Sequence, residues 1–135
     1  MIVYQRIKGF PEDQIARLFL LVGWQSGEYP KKLVLAFKNS SRVISAWDQD
    51  QLIGLIRGLD DGVWQAKIDC LLVDPAYQQQ GIGSALLSML LEEYRHFMYV
   101  DVVPDDKRNV PFYQRHGFQI ADGSTAMQIK KSSRE

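Results

Sequence analysis

Apolar and polar positions along this 135-residue chain change period repeatedly, and each change marks an element. Ile2 to Ile7 reads as a short first strand, stopped by Gly9 and Pro11. From Pro11 to Leu21 the apolar residues Ile15, Leu18 and Phe19, with Val22 just beyond, recur at helical spacing. Gly23 to Pro30 breaks that pattern, and Lys31 to Lys38 predicts a second short helix around Leu33, Val34 and Phe37. Arg42–Trp47 and Leu52–Leu59 read as strands joined at Asp48-Gln49-Asp50. Asp60-Asp61-Gly62 signals another hairpin, feeding a long strand from Val63 to Val73. A helix from Gly83 to about Tyr94 follows, apolar on most sides. Phe97 to Val103 is almost continuously apolar, which predicts a strand covered on both faces. A helix over Arg108–His116 stopped by Gly117, then strands near Phe118–Ile120 and Thr125–Ile129, complete the order.

The strand–helix–strand unit from 63 to 103 implies a parallel pair with a right-handed crossover. The remaining strands are joined as hairpins. The predicted class is therefore α+β, with a mixed, mostly antiparallel sheet in the order β-α-α-β-β-β-α-β-α-β-β. The length suits one core and is short for two, so residues 1–135 are expected to form a single domain.

The stretch Leu71-Leu72-Val73-Asp74-Pro75-Ala76-Tyr77-Gln78-Gln79-Gln80-Gly81-Ile82-Gly83-Ser84 carries the most chemistry. An apolar strand, a polar turn and two glycines opening a helix can aim several backbone N–H groups at one anion. Two glycine-loop classes are excluded. A Walker A loop needs Gly-Lys-Ser/Thr, which is missing, and a dinucleotide fingerprint needs a third glycine where Leu86 stands. A turn and helix start with no ligand is the plain alternative.

Composition narrows the classes further. Sixteen Lys and Arg balance sixteen Asp and Glu, so nothing suggests a nucleic-acid partner. No apolar run approaches membrane-spanning length. Cys70, the lone cysteine, fits a reducing compartment, and the start Met1-Ile2-Val3-Tyr4 lacks a signal-peptide pattern, so the expected location is the cytoplasm. There is no Gly-x-Ser-x-Gly elbow, and His96, His116 and Cys70 lack metal-ligand spacing; no metal is expected.

The turn matches Gln/Arg-x-x-Gly-x-Gly/Ala as Gln78-Gln79-Gln80-Gly81-Ile82-Gly83, and Asn109-Val110-Pro111-Phe112-Tyr113-Gln114-Arg115-His116-Gly117-Phe118 follows some thirty residues later. In both motifs, and in element order over nearly its whole length, the chain resembles the GCN5-related N-acetyltransferases (GNAT). The resemblance implies acetyl-CoA as co-substrate. By alignment it gives the Leu71 amide the thioester oxygen and the backbone of Leu72 and Val73 the pantetheine. Gln78, Gln79, Gln80, Gly81, Ile82, Gly83 and Ser84 would wrap the pyrophosphate, with Asn109 and Phe112 touching the pantetheine arm. Tyr113 stands at the position of the family's general acid; a phenol titrating near ~10 can protonate a leaving thiolate near ~8.5.

The resemblance leaves the base open. Asp69 and Asp101 sit on the two parallel strands, and strict alternation would point Asp69 the same way as Leu71. Asp101 lies in the apolar run, where burial would raise its pKa. Each carboxylate could instead serve a salt bridge, with Lys67 as a candidate partner. The loop Gly23–Pro30 roofs the acceptor site in relatives, which makes Trp24, Glu28 and Tyr29 candidate acceptor contacts. The implied acceptor is a small-molecule amine or a protein amino group, and a homodimer is an expectation of the same kind. A non-catalytic acyl-CoA-binding module on this fold is the second reading; Tyr113 with a carboxylate favours chemistry. The turn carries Gln where many relatives carry Arg, and Lys107 and Arg108 are expected to supply the missing positive charge.

Overall fold

The computed structural model describes residues 1–131. The chain runs β1 (Ile2–Gln5), α1 (Glu12–Leu21), α2 (Pro30–Lys38), β2 (Arg42–Asp48), β3 (Gln51–Asp60), β4 (Gln65–Val73), α3 (Ile82–Glu93), β5 (Tyr99–Val102) and α4 (Val110–Arg115). Short 3-10 turns occupy Gln25–Glu28, Pro75–Tyr77 and Lys107–Asn109. Chain contacts divide this into two compact units, Met1–Asp101 and the chain from Val102 onward.

The five strands form one sheet in chain order. The β1–β2, β2–β3 and β3–β4 pairs are antiparallel, whereas β4 and β5 run parallel. The hairpin into β4 is held by Asp61, whose Oδ1 accepts from the amides of Val63, Trp64 and Gln65 at 2.9, 2.7 and 3.2 Å. Three hydrogen bonds to one carboxylate favour its charged form and hold Asp61 below the usual carboxylate range.

Each face of the sheet has its own partners. Leu55 and Leu72 join Ile15, Leu18, Phe19 and Phe37 in the core beneath α1 and α2. The neighbouring Gly54 points the other way: a Cβ there would lie 3.2 Å from Ala46 Cβ, Ile82 Cγ2 and Leu86 Cδ1. Glycine thus lets α3 settle close on the opposite face, where Ile82, Leu86, Leu87 and Leu90 are buried.

Three expectations need correction. β5 is not covered on both faces: it alternates exposed and partly buried, and Tyr99 is 52% exposed. The apolar run reflected β-branched and aromatic composition, not double coverage. Strands at Phe118–Ile120 and Thr125–Ile129 do not form; residues 118–131 contain a turn at 122–123 and no strand. Ile120, Met127 and Ile129 are 71%, 91% and 85% exposed, so no buried face rewards ordering them, and a short hairpin alone is marginal. The last helix is also shorter than expected, six residues preceded by a 3-10 turn that Asp106 caps through Arg108 N at 2.9 Å.

Candidate active site

β4 departs from a regular strand at the residues assigned to thioester binding. Arg57 pairs with Asp69 and Leu55 with Leu72, so one residue of β3 faces two of β4. This is a β-bulge, and Cys70 within it takes a left-handed conformation, with φ 58°. A bulge leaves one residue outside the ladder, which opens backbone groups to a ligand. β4 has nine residues and β5 four. Their hydrogen bonds begin together, Trp64 O accepting from Met98 N and Tyr99 N at 3.1 Å each, so the C-terminal half of β4 outruns β5.

The bulge also corrects the facing of Asp69. Arg57 and Leu55 share a face by alternation, so their partners Asp69 and Leu72 do too, and Leu71 is out of step. Asp69 accepts from Arg57 Nη2 at 2.8 Å, not from Lys67.

Beyond Val73 the chain turns under tight control. Asp74 is buried; its amide donates to Ile53 O at 2.8 Å and its Oδ1 accepts from Ala76 N at 2.9 Å. Its Oδ2 meets Arg17 Nη2 of α1 at 2.7 Å. Tyr77 Oη donates to Asp48 Oδ2 at 2.5 Å, which ties the turn to the β2–β3 hairpin and raises the phenol's pKa, that hydrogen bond foremost. These anchors escaped the sequence reading. Their one visible signal was Asp74-Pro75, an Asx-turn pair at a strand end.

The turn itself is open. Gln78, Gln79, Gln80 and Gly81 are exposed, and Gln78 Nε2 folds back to Val73 O at 3.3 Å. Gln79 and Gly81 adopt φ 65° and 80°. Gly81 O accepts from Ala85 N at 2.9 Å, so the amides of Ile82, Gly83 and Ser84 form the first turn of α3. A Cβ at Gly81 would meet nothing within 4 Å. The Ile82 side chain is buried, as is that of Leu72, so both could contribute only backbone. Left-handed residues beside a helix N-terminus make an anion-binding concavity. The donor set fits a pyrophosphate, and Leu71 to Ser84 lie in one continuous strand–turn–helix.

The second carboxylate is placed differently from expectation. Asp101 is exposed, so the burial argument for it fails; its Oδ2 accepts from Gln65 Nε2 at 3.2 Å. Gln65 begins β4, roughly 20 Å of strand from Leu71. In the loop after α1, Trp24 is partly buried, edge-on to Phe19 at 5.6 Å, and packs against the α1–α2 core. Glu28 and Tyr29 are exposed at the end of the 3-10 turn.

Within the second unit, Tyr113 is buried at 9% exposure between Phe112 and Phe118, ring centroids 5.1 and 5.7 Å away. Phe112 is partly buried and Asn109 exposed. His116 lies against a helix-end carbonyl, Nδ1 standing 3.0 Å from Phe112 O. Arg108 is spent locally: Nη2 and Nε meet Asp106 Oδ2 at 2.6 and 3.0 Å, holding that carboxyl down at about 2.

Comparison with known proteins gives a consistent result. Residues 11–118 match the profile of the acetyltransferase (GNAT) family. The chain is 34% identical over 113 residues, 73% of its length, to the histone acetyltransferase TAP1 of Glycine max. It spans 47% of that relative's length and 40% of a second soybean relative's. A GNAT-family acetyltransferase structure from Streptococcus pneumoniae TIGR4 superposes with a TM-score of 0.82 at 29% identity, covering 98% of this chain and all (100%) of that one. An aminoglycoside 6'-N-acetyltransferase complexed with coenzyme A shares the fold, with a TM-score of 0.58 at 21% identity over 69% of this chain and 55% of that one.

Proposed function

The chain belongs to the GNAT acetyltransferase family, and from that membership we propose that it is an N-acetyltransferase moving an acetyl group from acetyl-CoA to a primary amine by direct attack. The observation that carries this reading is the bulged end of β4 leading straight into the left-handed glycine turn of α3. Bound there, acetyl-CoA supplies an activated acetyl thioester. The amides of the α3 first turn hold the pyrophosphate. With no cationic side chain between Lys67 and Arg95, that hold rests on backbone N–H groups and the helix terminus.

The Leu71 amide donates to the thioester oxygen where negative charge develops. Asp69 receives the proton that the attacking amine releases, directly or through water; it is nearer Leu71 along β4 than is the residue that holds Asp101. Tyr113 donates its phenolic proton to the departing thiolate, a role resting on its place in the second motif. Trp24, Glu28 and Tyr29 border the acceptor. The soybean relative's name, a histone acetyltransferase, supports keeping protein amino groups beside small amines as acceptors.

The test is thiol release from acetyl-CoA against a broad amine panel, alongside calorimetric CoA binding. Turnover with at least one amine is expected, and Tyr113→Phe should lower kcat by about 10²- to 10⁴-fold with CoA affinity unchanged. CoA binding with no thiol release across the panel would make the chain an acyl-CoA sensor instead.

A further inference from the structure

We propose that Arg57 is a positioning residue for the acceptor: its guanidinium fixes the Asp69 carboxylate on the α1–α2 face of the sheet, where Asp69 receives the incoming amine. This rests on the acetyltransferase reading and adds to it the group that orients the acceptor's partner.

Arg57 stands directly opposite Asp69 in the β3–β4 ladder. Its guanidinium lies over the Phe37 ring, 5.1 Å from the centroid, and Nη1 reaches Ser40 Oγ at 3.4 Å. The Ser40 hydroxyl in turn donates to Ala36 O at 2.8 Å. Ring, hydroxyl and carboxylate thus fix the plane of the fork, and a planar guanidinium fixes the carboxylate it grips.

The pair is lopsided. The Arg57 side chain is 17% exposed and that of Asp69 39%, so the carboxylate is the open end. Arg57 Nε is buried without an acceptor among the described residues. A pair serving only to hold β3 to β4 would gain by satisfying that donor. This one holds a carboxylate outward, two positions before Leu71 and roughly 7 Å along the strand. Asp69 shares its face with Leu72 and the core under α1 and α2, which Trp24 also joins, whereas the glycine turn opens into α3 on the opposite face.

The test is acetyl transfer to an amine that the unmodified protein turns over, using Arg57→Met, Arg57→Lys, Asp69→Asn and Arg57→Met/Asp69→Asn. Arg57→Met should lower kcat/KM for the amine about tenfold, the worth of one charge-assisted hydrogen bond, with CoA affinity unchanged. Arg57→Lys, which keeps the charge but loses the planar fork, should recover only part of that loss, and the Met substitution should add nothing in the Asp69→Asn background. Additive losses, or an unchanged kcat/KM for the amine in Arg57→Met, overturn the inference and leave the acetyltransferase reading standing. CoA binding without turnover of any amine by the unmodified protein overturns both. Should Arg57→Met fail to fold, Arg57→Lys alone and with Asp69→Asn gives the same comparison.

Discussion

Arg17 and Asp74 join helix α1 to the turn after β4 through a 2.7 Å ion pair whose carboxylate end is almost fully buried. Asp74 also caps the Pro75–Tyr77 turn, so one side chain holds both the start of the glycine turn and its attachment to the core. Asp74→Asn keeps the shape and removes the charge, leaving Arg17 without its counter-ion. We expect a loss of about 1–2 kcal/mol in urea unfolding, limited by the partial exposure of Arg17, and weaker CoA binding. A drop in stability with CoA affinity intact would show that the anchor does not shape the turn.

Gly81 holds φ 80° at the head of α3, with open space where a side chain would stand. Gly81→Ala therefore tests conformation without a clash, at a cost of about 1–2 kcal/mol if the left-handed geometry is kept. CoA affinity by calorimetry should fall, and Gly81→Asn should fall less, because Asn tolerates this region better. Equal affinities for Ala and Asn would rule out a conformational origin.

The uncharged turn gives a gain-of-function test. Gln78→Arg should tighten CoA binding, more so at low ionic strength, by placing a cation beside the phosphate-binding amides. Lys107→Ala should weaken binding more than Arg108→Ala, because Asp106 already neutralises Arg108. Unchanged calorimetric affinity in all three variants would remove these side chains from the pyrophosphate account.

Tyr94 predicts the alkaline limit of stability. Its hydroxyl donates to Asp60 Oδ2 at 2.8 Å, and burial first, then that hydrogen bond, push its pKa well above the ordinary tyrosine value. A raised folded pKa gives a contribution that is complete below the unfolded value near ~10 and is lost as pH rises beyond it. Stability should fall above about pH 10, and Tyr94→Phe should flatten that limb. Gly58→Ala attacks the same contact from below, since its Cβ would lie 2.0 Å from the Tyr94 hydroxyl. An unaltered alkaline limb in Tyr94→Phe would assign it to other groups.

By itself the sequence determined the elements through β5, the parallel crossover, the glycine turn and the second motif, because each is written in local periodicity and turn chemistry. Residues Pro11–Leu21 and Lys31–Lys38 read as helices and are helices, within a residue or two at their ends. Only the tertiary structure decided what the pattern of alternation could not. Nothing about a cysteine announces φ 58°, yet Cys70 carries the bulge that turns Asp69 away from Leu71 and toward Arg57. Asp101, set in an apolar run, is exposed, and residues 118–131 form no strand. Burial and pairing are properties of neighbours distant in sequence, and periodicity shows only which residues could be buried if such a neighbour arrived.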